Sequence, residues 1–462
     1  MKNFFLILSS ILIVSACTVG PDYQSPDLNP PQQFPSQEVF ALLNNGKQGD
    51  FDSDQWWKGF NDPVLNDLVD NAILENYDIA IAAARLKQAQ ANVRFFDAGD
   101  RLRASTNIGA EVQNSRGDGE NDTSTSLAGG LAAVLPLDIF GQNKRETEAA
   151  TAQLESFEAA LRGSVLNVST DVATEYLTLR GNQRQLELLR ESVQLQEKTL
   201  SIVNSRYEAG LSPELDLQRA RTSVENLRAD IPLLEQSLNN SRNQLAVLTG
   251  NYPGFYDDLL SGTSPVPEYT SSFPLLVPYD VLLMRPDVAQ AESDLKQAVA
   301  NIGVAEANFY PVFELSGGIR LTSTGINGLP VTDVIVSSIN ALIEQTLLDG
   351  GARKANFDIA VAQAEEQLAV YEQTLRNAIL NVETSLTALQ SSKDRQISLE
   401  KSVQSSQRSF AQAETLYQQG LISFLDVVDA QRQFASAEQS LARETTNYAT
   451  QIAQLFNSLG IQ

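Results

Sequence analysis

One motif occurs twice in this 462-residue sequence, and it limits the possible folds more than any other feature. The first copy, Tyr207–Ala220, reads YEAGLSPELDLQRA, and the second, Tyr417–Ala430, reads YQQGLISFLDVVDA (417 − 207 = 210 residues later). Gly210 and Gly420 would each end a helix, because glycine adopts the left-handed conformation at little cost. Pro213 would occupy the first turn of the next helix, where a missing N–H is tolerated. The repeat therefore predicts two helical hairpins in two related halves of one architecture.

Long heptad-patterned runs flank both copies of the motif. Apolar residues recur at spacings of three and four, without helix-breaking signals between residues 144 and 206, and this pattern is typical of coiled coils. At about 1.5 Å per residue, the helix before the first hairpin would be roughly 100 Å long, which is too long for a compact domain. The predicted helices are Asp67–Asp97, a long helix from near Gln142 to Tyr207, its return helix through Leu248, Arg285–Asn308, Arg353–Tyr417 and Phe424–Leu459.

Between the helices, the apolar residues alternate with polar ones at a period of two, which predicts strands with one apolar and one polar face. Each is about the 9–11 residues that a tilted strand needs to cross a bilayer. The predicted strands lie around Asn107–Gln113, Ser124–Leu135, Val312–Thr322 and Val334–Gln345. The polar segments Ser115–Thr123 and Ser323–Val331 are predicted to be the loops between them.

Four such strands have unpaired edges, which the bilayer core does not tolerate. A transmembrane sheet must close, and eight strands are the usual minimum for a closed barrel. One chain cannot close its own barrel, so several chains must share one. The residues alone do not give the number of chains.

The N-terminus has the features of a secretory signal peptide over residues 1–16. The only cysteine, Cys17, follows at the cleavage position. The sequence Val14-Ser15-Ala16-Cys17 is similar to a bacterial lipobox, so we expect Cys17 to be lipid-modified. Several acyl chains on one residue would give stable anchoring. The following residues, as far as Phe60, are predicted to be extended, with few packing demands apart from Trp56–Trp57.

Composition argues against several functions. The formal charge of −24 disfavours nucleic acid as a partner, because phosphate binding depends on lysine and arginine. The chain has no histidine, which excludes Ser-His-Asp triads and most zinc sites. Adjacent carboxylates such as Asp257–Asp258 have no nucleophile or metal cluster beside them. We therefore predict that the protein is not an enzyme and uses no cofactor or metal.

Several motifs resemble those of TolC-like outer-membrane efflux proteins. They are WKGFNDPVLNDLVDNAILENYD at Trp57–Asp78, CTVGPDY at Cys17–Tyr23, LDIFG at Leu137–Gly141 and RPDV at Arg285–Val288. The cysteine-led start resembles the NodT or OprM lipoprotein branch, which serves resistance-nodulation-division pumps. The resemblance covers nearly the whole chain. It implies an α+β membrane protein and a homotrimer, in which twelve strands, four from each chain, form a shared transmembrane β-barrel and the helices form a coiled-coil barrel across the periplasm.

The resemblance also implies a function and partners. It implies a passive outer-membrane channel of a tripartite efflux system that exports drugs or other toxic small molecules. The channel would be lipid-anchored in the outer membrane, with a periplasmic adaptor and an inner-membrane pump as partners. An exit duct for type I protein secretion is an alternative, because the same fold serves both. A coiled-coil filament protein would explain the heptads but not the four strands.

The family's periplasmic constriction corresponds here to Tyr417, Leu425, Asp426, Asp429 and Arg432. The last three are spaced by three residues and so share a helix face. We expect Asp429 to form an acidic ring around a three-fold axis, held closed with Arg432. A solvated helix face is the alternative interpretation.

The hairpin ends are the expected docking points of the adaptor. The residues concerned are Gly210, Leu211, Ser212, Gly420, Leu421 and Ser423. The sequence is thus divided into a signal peptide at 1–16, an extended lipoprotein segment at 17–66, a first repeat at 67–250, a connector at 251–281 and a second repeat at 282–460.

Overall fold

A computed structural model describes five stretches of the chain, which are residues 18–27, 55–117, 120–273, 282–326 and 329–461. In chain order they contain α1 (Pro63–Glu75), α2 (Tyr77–Asp97), β1 (Arg103–Gly117), β2 (Glu120–Leu137), α3 (Gln142–Glu208), α4 (Glu214–Leu248), α5 (Pro286–Ala307), β3 (Val312–Ile326), β4 (Leu329–Glu344), α6 (Ala352–Gln418) and α7 (Phe424–Leu459). The order of two strands followed by two long helices therefore occurs twice, as predicted. The expected signal peptide and the lipidation site Cys17 lie outside the described residues.

Both copies of the repeated motif form the turn of a helical hairpin. Helices α3 and α6, of 67 residues each, end there, and Gly210 and Gly420 have φ values of +73° and +74°. The predicted role of the two glycines is therefore confirmed. Pro213 differs from the prediction, because it precedes α4 as an extended cap residue and its carbonyl accepts the first helical bond from Asp216 N at 3.1 Å.

The prediction of one helix over Asp67–Asp97 is wrong, because Asn76 divides it into α1 and α2. The Asn76 side-chain oxygen accepts hydrogen bonds from the backbone N–H groups of Asp78 and Ile79, at 2.7 and 3.3 Å. Its amide nitrogen donates to the Leu248 carbonyl at 2.8 Å. Asparagine is favoured as a helix N-cap because its side chain replaces missing backbone partners in this way.

The four strands form one antiparallel sheet in the order β1-β2-β3-β4. The predicted strands are confirmed, but the predicted loops Ser115–Thr123 and Ser323–Val331 are mostly wrong. The β1–β2 ladder continues through polar residues as far as the pair Gly117↔Glu120, and the β3–β4 ladder as far as Ile326↔Leu329. Backbone hydrogen bonds continue a two-stranded ladder where the apolar alternation stops, and the sequence pattern records only the apolar residues.

One face of the sheet is apolar, and it is exposed on the single chain. The strand registers place the predicted apolar residues of all four strands on this face. Its large exposed members are Ile108, Val112, Leu127, Leu131, Leu315, Ile319, Leu321, Ile335, Ile339 and Ile343. The opposite face is mostly polar, with Glu111, Ser126, Arg320 and Asn340 on it, and it also carries Val334, Val336 and Leu342 of β4. The amphipathic sheet predicted from the alternation is thereby confirmed.

The chain divides into two units that cut across the two sequence repeats. The unit with the sheet comprises Met1–Leu28, Arg85–Glu158 and Gln290–Glu372, and the unit with both hairpin turns comprises Asn29–Ala84, Ala159–Ala289 and Gln373–Gln462. The largest hydrophobic core lies in the second unit. Trp56 is buried there and stacks on Phe456 with 5.3 Å between ring centroids, as its predicted packing role requires. None of the helices in the described part of the chain combines the length and the apolar content that spanning a bilayer requires.

Candidate functional site at the hairpin ends

The two hairpin ends share a small hydrophobic core. Its buried members, contributed by all four long helices, are Val203, Leu217, Ala220, Phe410, Tyr417, Phe424, Val427 and Val428. Full burial of a Val, Leu or Phe side chain contributes about 1.5–3 kcal/mol. Side-chain packing therefore joins the first hairpin to the second at their turns.

Tyr417, one of the predicted gate residues, lies inside this core. Its side chain is only 6% exposed, and this burial raises its pKa. The Arg206 guanidinium lies 4.8 Å above the ring, and its Nη1 donates to the Tyr417 carbonyl at 3.3 Å. A cation–π contact of this kind contributes about 0.5–2 kcal/mol. Sequence reasoning did not single out Arg206; its position just before the motif, in the last turn of α3, was the available signal.

The other predicted gate residues are exposed on the first turns of α7. At 3.6 residues per turn, Leu425, Asp429 and Arg432 lie within roughly 60° of one another, and Asp426 lies at the margin of this face. Arg432 Nη2 donates to Ser223 Oγ of α4 at 3.4 Å. The structure thus brings Leu425, Asp429 and Arg432 together on one accessible helix face.

Asp426 has a local task at the start of α7. Its carboxylate accepts hydrogen bonds from Ser423 N at 2.8 Å and Ser423 Oγ at 2.7 Å, while Asp426 N donates to Ser423 Oγ at 3.4 Å. This reciprocal capping box satisfies donors at the helix N-terminus. The equivalent Asp216 accepts from Ser212 Oγ at 3.3 Å. The aspartate that recurs in the motif therefore lies in the first turn of the second helix of each hairpin, where it accepts a hydrogen bond from a preceding serine.

This capping box predicts a local dependence on pH. Hydrogen bonds from Ser423 hold the pKa of Asp426 below its ordinary value of 3.8. The stabilisation is therefore complete above that value and declines as pH falls through the lowered pKa. We expect amides in the first turn of α7 to lose hydrogen-exchange protection below about pH 4 in the wild type, and to be poorly protected at every pH in Asp426→Asn. Asp429→Asn removes the same charge from the same helix and should retain the wild-type profile; an unchanged profile in Asp426→Asn would contradict the role of the cap.

A second arrangement of charged groups holds the residues that follow Cys17. The Arg145 side chain, 4% exposed, donates to the carbonyls of Val19 and Gly20 at 3.0 and 2.9 Å. It also donates to the carboxylates of Asp22 and Glu148, at 2.9 and 2.7 Å. The expectation of few packing demands is therefore wrong for Val19–Asp22, because a buried arginine needs several acceptors and this segment supplies them.

Glycines make this close approach possible. Gly20 has φ +88°, and a Cβ there would clash with the Gly303 backbone. A Cβ on Gly303 would lie 2.8 Å from the Cγ, Cδ and Nε atoms of Arg145. Val19 N also donates to the Phe140 carbonyl at 3.1 Å. The segment is thus fitted against the start of α3 and the C-terminal part of α5.

Comparison with known proteins agrees with this architecture. The family model described as "Outer membrane efflux protein" matches residues 68–251 and 277–461. Nodulation protein T of Rhizobium leguminosarum bv. trifolii is 31% identical over 452 residues, covering 97% of this chain and 95% of the relative. The cation efflux system protein CusC of Escherichia coli K12 is 30% identical over 461 residues, covering 97% of both proteins.

A solved structure has the same fold. The outer-membrane channel OprN superposes with a TM-score of 0.87 at 27% identity, covering 96% of this chain and 99% of that one. The family match takes in both hairpins and all four strands, and the relatives match almost from end to end. The chain belongs to the outer membrane efflux protein family.

Proposed function

We propose that this protein is the outer-membrane channel of a tripartite efflux system, a passive conduit through which toxic small molecules leave the cell. The observation that carries this proposal is a four-stranded sheet with an exposed apolar face, in which each pair of strands is followed along the chain by a long helical hairpin. An apolar outer face suits lipid, whereas the polar opposite face suits a water-filled lumen. The membership of the family, which includes the outer-membrane channel OprN among its structural relatives, supports the same function.

The assembly that we propose is a homotrimer with a twelve-stranded barrel. Each chain supplies four strands, and the sheet edges at β1 and β4 require partners before they can enter a bilayer. The lipid anchor is proposed at Cys17, next to the segment that Arg145 holds. The protein would be anchored in the outer membrane, with its hairpins in the periplasm.

The proposed partners are a periplasmic adaptor and an inner-membrane pump. Leu211 and Leu421 occupy the same position in the two turns, beside Gly210 and Gly420, and both are exposed. Exposed leucines at matched places suit an adaptor with an apolar contact surface. Ser212 and Ser423 lie beside them, and we propose that these turns form the docking points.

The test of the function is the drug and metal susceptibility of a strain that lacks the gene. We expect the deletion strain to become sensitive to one class of toxic compound and to recover when the full-length gene is restored. The panel should contain metal cations as well as organic toxins, because the relative CusC is named for cation efflux. Unchanged susceptibility across the panel, with no change in export of any compound, would contradict the proposal.

We further propose that Asp429 and Arg432 form the periplasmic gate around the three-fold axis. Replacing Asp429 by alanine should raise the open fraction about fivefold, because an exposed ion pair contributes up to about 1 kcal/mol. Conductance and cation preference of the purified channel in planar bilayers measure this effect. The matched control is Arg219→Ala, which changes the equivalent position of the first repeat. Unchanged conductance and cation preference in Asp429→Ala would argue against the gate.

A further inference from the structure

The sheet leaves two strand edges without a neighbour in the described chain. Strand β1 pairs only with β2, and β4 pairs only with β3. We propose that β4 of one chain pairs with β1 of a second copy in a single register, in which Ile343 lies opposite Ile108 of the partner subunit and Ile339 lies opposite Val112 of the partner subunit. The inference rests on the proposed shared barrel and specifies the contact that closes it.

The internal duplication relates the four strands by fixed shifts. The β1–β2 ladder begins with Arg103↔Val134, and the β3–β4 ladder begins with Val312↔Glu344. Strand β3 therefore repeats β1 with a shift of 312 − 103 = 209 residues, and β4 repeats β2 with a shift of 344 − 134 = 210 residues. The shifts also match apolar residues to apolar residues on the same face. Adding 210 to Leu131 gives Ala341, and adding 209 to Ala110 gives Ile319.

The junction between β2 and β3 is the template for the junction between chains. In a closed ring of repeated two-strand units, β4 of one chain pairs with β1 of the next chain in the same register in which β2 pairs with β3. The observed pairs Ala133↔Gly317 and Gly129↔Leu321 define that meeting. Adding 210 to the β2 residue and subtracting 209 from the β3 residue gives the corresponding pair between chains. The first observed pair gives Ile343 opposite position 108, and the second gives Ile339 opposite position 112.

Side-chain chemistry supports this register independently. A slip of one residue would turn the apolar face of one strand against the polar face of the other. A slip of two residues would place Ile343 opposite Thr106 or Ala110 of the partner subunit. Only the proposed register places Ile343 and Ile339 directly opposite β-branched apolar residues, and such cross-strand pairs stabilise sheets.

The base of the sheet agrees with the same register. Leu347 and Leu348, just beyond β4, are 84% and 93% exposed. Continued past the strand end, the register brings them level with Ala104 and Arg103 of the partner subunit, next to the exposed Leu102. At the equivalent place within one chain, Leu137 lies opposite Phe313 in the β2–β3 ladder. The exposed leucines are thus positioned for the same kind of contact between chains.

Crossed cysteine pairs test the register with only four substitutions. The polar-face residues Ser338 and Asn340 of β4 would lie opposite Gln113 and Glu111 of the partner subunit. The matched double variants are S338C/Q113C and N340C/E111C, and the crossed variants are S338C/E111C and N340C/Q113C. Directly opposed strand residues have the Cα separation that a disulfide needs. Both sets contain the same substitutions, so any difference between them reports pairing and not folding.

Full-length protein in outer-membrane vesicles is oxidised and analysed on non-reducing gels. We expect the matched pairs to give a dimer and trimer ladder that ends at the trimer and disappears on reduction. The crossed pairs should give at least tenfold less disulfide-linked dimer and trimer. Stronger disulfide linkage in a crossed pair than in the matched pairs would overturn the register while leaving the proposed channel intact. Oligomers in which none of the cysteine pairs forms a disulfide would have the same meaning. A single-chain mass in detergent together with no linkage would overturn the shared barrel as well.

Discussion

Replacing Ile339 by arginine is expected to abolish recovery of membrane-inserted channel, whereas replacing the adjacent Ser338 by arginine is not. Ile339 lies midway along the apolar band of β4, between Ile335 and Ile343, and is 86% exposed on the single chain. Arginine on the lipid face near the middle of a transmembrane barrel costs about 2–4 kcal/mol, which is roughly 30-fold to 1,000-fold in equilibrium per chain. A barrel of three copies would carry this cost three times.

The control depends on the alternation of the strand. Ser338 is the next residue in β4, so its side chain lies on the opposite, polar face. Arginine there would enter the lumen, where charge changes selectivity more than stability. The measurement is the amount of heat-modifiable, folded protein in the outer-membrane fraction for each variant. Equal recovery of Ile339→Arg and Ser338→Arg would show that the apolar face does not contact lipid.

The strands and hairpins were predictable because one local pattern determines each of them. The period of two at Ile108–Val112 and Val312–Thr322 identified strands, since the sheet has one apolar and one polar face. The glycines of the repeated motif identified the turns, since a left-handed residue was required there. The length of the β-hairpins was not predictable in the same way, because the ladder continues through polar residues such as Ser115 and Asp122.

The contacts of the candidate site were harder to predict, because they join residues that are far apart in the sequence. The spacing correctly placed Asp429 and Arg432 on one face, but it also placed Asp426 there, which instead lies at the margin and caps the helix through Ser423. The stacking of Arg206 on Tyr417 could not be predicted, since about 210 positions separate the two residues. The hydrogen bonds from Arg145 to the carbonyls of Val19 and Gly20 also join residues that are far apart in the sequence. They involve backbone carbonyls, which every residue carries and which leave no trace in side-chain patterns.

Arg145→Ala should release the segment that follows the proposed lipid anchor. The substitution removes the donor for two backbone carbonyls and the counter-charge of Asp22 and Glu148. A hydrogen bond to a charged group contributes about 1.5–3 kcal/mol, so loss of the two bonds to the carbonyls is expected to cost about 3 kcal/mol locally. The Val19 amide, which donates to Phe140, should then exchange its hydrogen about a hundredfold faster. The neighbouring Lys144→Ala, which removes one exposed hydrogen bond to Thr18, should change the rate little.

Gly303→Ala tests the same contacts between Arg145 and the segment Val19–Asp22, but it leaves the arginine in place. Gly303 lies in α5 and Gly163 lies in α3, so alanine should favour the helix at both positions by up to about 1 kcal/mol. A Cβ on Gly163 meets only Pro286, at 3.4 Å, whereas a Cβ on Gly303 would press into the Arg145 side chain. Gly303→Ala should therefore accelerate exchange at Val19, and Gly163→Ala should not. If Arg145→Ala and Gly303→Ala both left the exchange of Val19 unchanged, the segment would have to be held by other contacts, and the anchor would not depend on Arg145.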